Sequence, residues 1–84
     1  MELITYNTNN GNLNLLFHGR LDSTNASDAE LRIIKIRKEY RNPNIVIDAD
    51  ELEYISSAGL RVVLRLLKEV PTLKIVNASN DVFD

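Results

Sequence analysis

The chain has no cysteine, which excludes a disulfide framework and any thiolate metal site. No apolar run approaches the roughly 20 residues that a membrane-spanning helix needs. The first residues, Met1 to Tyr6, have neither a basic region nor a signal-type apolar stretch. A soluble, cytoplasmic protein without membrane insertion is the expectation. Charge of one sign is also scarce: the formal net charge is -2, with acids and bases interleaved. Duplex nucleic acid calls for a clustered basic face, so direct nucleic-acid binding is not expected. The one basic cluster, Lys35, Arg37, Lys38 and Arg41, ends a predicted helix, where cations suit the dipole. Internal repeats and low-complexity tracts are absent. With 84 residues, residues 1–84 form one domain, whose small core implies modest stability without a partner.

What is there is a regular alternation of elements. Leu3 to Tyr6 reads as a short strand. Asn10-Gly11 then gives the strongest short hairpin signal, because both central residues of a type I′ turn need positive φ. In the next strand Leu13, Leu15 and Phe17 alternate with Asn12, Asn14 and His18. Leu16 breaks the pattern and suggests that both faces are partly covered. Gly19 to Asn25 reads as a loop. Ala26, Ala29, Ile33, Ile36 and Tyr40 then recur at helical spacing. Asn25 is the expected N-cap, with Ser27 and Glu30 as an alternative capping box. Asn42-Pro43 stops this helix.

Ile45, Val46 and Ile47 are a continuous β-branched run, the mark of a parallel strand buried on both faces. Asp48 to Ile55 reads as an acidic loop. A second helix, Ala58 to Val70, carries Leu60, Val63, Leu64 and Leu67 in its stripe, widened by Val62, Leu66 and Val70, with Arg61, Arg65 and Lys68 on the polar face. Leu73 to Val76 is a last strand. The order β-β-α-β-α-β predicts one layered α/β domain with a mixed sheet: a parallel core and one antiparallel hairpin.

Three chemical readings compete for the polar residues. Asp48, Asp50, Glu51 and Glu53 lack the spacing of a calcium loop, so a solvated acidic loop is expected and no metal. Ser57, His18 and either Asp22 or Asp48 supply the residue types of a hydrolytic triad, but no G-x-S-x-G elbow surrounds the serine. No enzyme and no cofactor is therefore expected. The third reading concerns Ser56-Ser57-Ala58-Gly59-Leu60, where a loop becomes a helix. A serine there can cap the helix. A phosphate there would meet unpaired N–H groups and alter the surface rather than the core.

Tyr54-Ile55-Ser56-Ser57-Ala58-Gly59-Leu60-Arg61, preceded by Asn44 to Asp48, resembles the signature of STAS-domain anti-sigma factor antagonists. Phe17-His18-Gly19-Arg20-Leu21-Asp22, followed by Asn25-Ala26, is similar to the family's other marker, and Leu73 to Ser79 to its late strand and turn. This resemblance covers nearly the whole chain. It implies a protein that binds an anti-sigma factor serine kinase, is released by serine phosphorylation, and is reset by a phosphatase. The matching acceptor is Ser57, with Ser56 as the alternative. Asp22, Ser23, Thr24, Ser56, Ser57, Gly59 and Arg61 are the expected partner interface. Other members serve as constitutive scaffolds or as binding subunits, for example of a lipid transporter. Members usually continue with another helix, missing or truncated here. Val82 and Phe83 are accordingly expected to be poorly ordered, or packed on the sheet or on a second copy in a homodimer.

Overall fold

The structure, a computed structural model, describes residues 3–40 and 44–78. Its elements are β1 (Ile4–Asn9), β2 (Asn12–Leu21), α1 (Ala26–Glu39), β3 (Asn44–Ile55), α2 (Ser57–Glu69) and β4 (Lys74–Val76). The expected β-β-α-β-α-β order is thus observed. The four strands form one sheet in the order β1-β2-β3-β4. β1 runs antiparallel to β2, whereas β2–β3 and β3–β4 are parallel. At the hairpin, Asn10 (φ 51°) and Gly11 (φ 80°) both adopt the left-handed backbone that the Asn-Gly pair predicts.

Alternation in the strands builds the core. Ile4, Leu13, Leu15, Phe17, Leu21, Ile45 and Ile47 are buried in one cluster with Ala26, Ala29, Ile33 and Ile36 of α1 and Val62, Val63 and Leu66 of α2. Both helices therefore lie on one face of the sheet. This corrects the reading of Ile45 to Ile47. Ile45 and Ile47 are buried, but Val46 is only half-buried, because its side chain points to the face without a helix. Leu16 is half-buried in the same way. That open face carries a bond from Asn14 to Asn7 (2.8 Å) and one between Thr5 and His18 (2.8 Å).

A second correction concerns the segment from Asp48 to Ile55. It is not a loop but the second half of β3. β2 also continues past His18, so that Glu51, Leu52, Tyr54 and Ile55 pair with His18, Gly19, Arg20 and Leu21. The ladder slips between Leu16 and His18 and again between Gly19 and Arg20. Gly19 has φ 75°, a backbone that glycine adopts without a steric penalty. Acids are tolerated along this strand because one face meets solvent. Asp48 Oδ1 accepts from Asp50 N–H and Asn77 Nδ2, both at 3.0 Å.

Asn25 holds the N-cap position of α1, yet its side chain makes no cap bond. It closes the preceding loop instead: its Oδ1 accepts from Asp22 N–H (2.9 Å) and its Nδ2 donates to the Arg20 carbonyl (2.8 Å). Glu30, which the alternative capping box paired with Ser27, faces α2 instead. Arg65 donates to it through Nε (2.6 Å) and a terminal nitrogen (2.8 Å). A second pair, Arg37 with Glu69, joins the same two helices. The Arg65 guanidinium lowers the Glu30 pKa from its ordinary value. Stability from a lowered carboxylate pKa is present above the unfolded value and lost as pH falls through the folded one. The pair lies at the surface, with Glu30 half-buried and Arg65 exposed, so the loss is at most about 1 kcal/mol. Wild type should accordingly lose more Tm than Glu30→Gln between pH 7 and pH 3, by a few degrees. Parallel curves for the two proteins would contradict this.

β4 is an edge strand exposed along its length. Val82 and Phe83, like Arg41 to Pro43, lie outside the described residues.

Candidate functional site

The parallel strands β2 and β3 end side by side, and each leads directly toward a helix. Leu21 closes β2, and its carbonyl accepts a hydrogen bond from Ser56 N–H (2.9 Å). The start of α2 is thereby tied to the end of β2, one residue before Asp22. The loop that follows is ordered by Asp22 itself. Its Oδ1 accepts from Thr24 N–H (3.0 Å) and from the Thr24 hydroxyl (2.5 Å). The Thr24 hydroxyl, and next its backbone N–H, hold the Asp22 pKa below the ordinary value. Asp22 is a carboxylate at neutral pH, and Ser23 and Thr24 beside it are exposed.

The neighbouring serines play different parts. Ser56 is the N-cap of α2: its backbone is extended and its Oγ accepts from Gly59 N–H (3.3 Å). Ser57 is the first helical residue, one earlier than the sequence suggested, and it is exposed. Its hydroxyl bonds to no other described residue. Losing a cap hydroxyl costs about 1 kcal/mol. Ser56→Ala should therefore lower Tm by about 4–8 °C, while Ser57→Ala leaves it nearly unchanged. Equal shifts in thermal melts of the two variants would contradict this division.

Gly59, expected at the partner interface, is buried. A Cβ there would lie 2.7 Å from the Leu21 carbonyl oxygen, 2.8 Å from Leu21 Cγ and 3.0 Å from Ile55 Cγ1. Its absent side chain thus lets α2 sit against β2 and β3, and its contribution to any interface is made from beneath. Arg61 is exposed on the next turn.

The model of the STAS domain family matches residues 4–84. The chain belongs to that family. Among solved structures, a candidate anti-sigma factor antagonist from Thermotoga maritima superposes with TM-score 0.81 at 20% identity, covering 95% of this chain and 72% of that one. The anti-sigma factor antagonist SpoIIAA in its unphosphorylated form gives 0.71 at 16% identity, over 90% of this chain and 74% of that one. An anti-sigma factor antagonist from Mycobacterium paratuberculosis gives 0.75 at 19%, over 86% and 63%. None of the curated protein sequences matches the chain. At these identities the likeness is one of fold.

Two residues of this STAS domain belong beside the expected ones. The Arg20 guanidinium lies 4.3 Å from the centroid of the Tyr54 ring, a cation–π contact at the strand ends. Arg20 and Tyr54 are 34 positions apart in sequence but adjacent in register. No local pattern reveals such a pair. His18, by contrast, is turned to other work. Its Nδ1 lies 2.6 Å from Glu51 and its Nε2 2.8 Å from Thr5, so neither nitrogen engages Ser57. Among the described residues no helix is long and apolar enough to cross a membrane.

Proposed function

We propose that this STAS domain is an anti-sigma factor antagonist that binds an anti-sigma factor serine kinase and is released when Ser57 is phosphorylated. The observation that carries this reading is the division between the two serines. Ser56 is committed to capping α2, whereas Ser57 is exposed and its hydroxyl bonds to no other described residue. The partner surface in this reading would combine Ser57 with Asp22, Ser23 and Thr24 from the β2–α1 loop and Arg61 from α2, a grouping supported by the bond from Ser56 N–H to the Leu21 carbonyl. ATP would give its γ-phosphoryl group to Ser57 Oγ, releasing ADP and a proton. A phosphatase would hydrolyse the ester and restore the binding form. Partner contact, not catalysis, is the activity in this reading.

The test is to incubate the chain with the anti-sigma kinase and ATP, then map phosphate by mass spectrometry. Wild type and Ser56→Ala should carry one phosphate on Ser57. Ser57→Ala should carry none and still bind. Phosphate on Ser56 alone would overturn the assignment. Binding with no phosphate on either serine would instead mark a constitutive scaffold.

A further inference from the structure

We propose that Arg61 is the internal ligand of a phosphate on Ser57, so that modification takes a cation out of the partner surface as well as adding an anion. This inference rests on the reading of Ser57 as the modified residue. Ser57 and Arg61 are both exposed and stand four residues apart on α2, where side chains on a helix face each other. The anion lies N-terminal to the cation, the favourable orientation for such a pair. No ion pair or hydrogen bond joins the Arg61 side chain to another described residue.

The other nearby cations are engaged. Arg65, one turn further along, is held in a two-point contact by Glu30. Arg20 lies over the Tyr54 ring. Lys68 is eleven residues from Ser57, about 16 Å along the axis at 1.5 Å per residue. Arg61 is therefore the guanidinium that can meet the phosphate without giving up another contact. Its planar fork suits two phosphate oxygens at once. In the unmodified chain the same fork is open to a carboxylate of the partner. Phosphorylation closes it within the helix.

The experiment needs neither kinase nor partner. Phosphoserine is installed at position 57 of the full chain by genetic encoding, and its second ionisation, ordinarily near about pH 6, is followed by ³¹P NMR. A cation favours the dianion, so Arg61→Gln should raise that pKa by about 0.15–0.4 pH unit, the scale of one helical ion pair. Arg61→Lys should retain part of the effect. Lys68→Gln and Arg20→Gln should leave the titration where it is in wild type. An unchanged pKa in Arg61→Gln, or a larger rise in Arg20→Gln, would overturn the proposal. Because the phosphoserine is encoded and no kinase is used, this result stands apart from the kinase assay: either can fail without the other.

Discussion

A chain phosphorylated on Ser57 is expected to bind its anti-sigma partner at least about a hundredfold more weakly than the unmodified chain. The free hydroxyl is small, neutral and exposed, so a partner surface can close over it at little cost. A phosphate brings a charge of about -1.5 to -2 and three acceptor oxygens. Within the domain it is well received by the N-terminus of α2, so the fold survives. Across an interface it must be desolvated opposite groups chosen for a hydroxyl. Asp22, kept ionised by Thr24, adds a second negative group on the adjoining loop. A like-charge contact across an interface costs several kcal/mol, and about 1.4 kcal/mol is a factor of ten. Ser57→Asp should reproduce part of the loss, and Ser57→Ala should bind like wild type. Titration of the three proteins against the kinase decides the matter; Ser57→Asp binding as tightly as wild type would remove Ser57 from the interface.

The second large effect falls on stability. Gly59→Val should destabilise the domain by about 3 kcal/mol, a fall in Tm of about 12–24 °C. The first atom met is the Leu21 carbonyl oxygen, at 2.7 Å from an added Cβ. That oxygen belongs to the backbone and already accepts from Ser56 N–H. It cannot yield without moving the start of α2. Gly59→Ala should show a smaller loss, because the gain in helix propensity, about 1 kcal/mol, offsets part of the clash. A valine variant that melts at the wild-type temperature would show that the α2 start has room to shift.

Local patterns carried much of this fold, and particular elements show where they stopped. The stripe Ala26, Ala29, Ile33, Ile36 identified the buried side of α1 because helical side chains repeat every three to four residues. Asn10-Gly11 identified the hairpin because its backbone demands those residues. The second half of β3 was hidden. Asp48, Asp50, Glu51 and Glu53 read as a loop, since their strand conformation depends on a ladder to β2, more than thirty positions away. Glu30 looked like a capping residue because its true partner, Arg65, is likewise remote. Both serines were visible as candidates, but a hydroxyl's role follows from where α2 begins. That start was placed one residue late.

The sequence by itself determined the order of elements, the buried face of α1, the turn chemistry at Asn10-Gly11 and the membership of the STAS family. Each of these is set by residues close together in the chain, or by blocks whose spacing is visible in one dimension. On α2 the stripe read from the sequence was wrong, because Leu60, Leu64 and Leu67 are exposed and the buried face is Gly59, Val62, Val63 and Leu66. Tertiary structure alone decided that, among the described residues, one sheet face carries no helix, that Ser56 caps α2 while the Ser57 hydroxyl bonds to none of them, and that Gly59 is spent on packing. It also set Arg20 over Tyr54 and tied the start of α2 to the Leu21 carbonyl. These outcomes depend on which strand lies beside which and in what register, and so on contacts between segments that no local preference specifies.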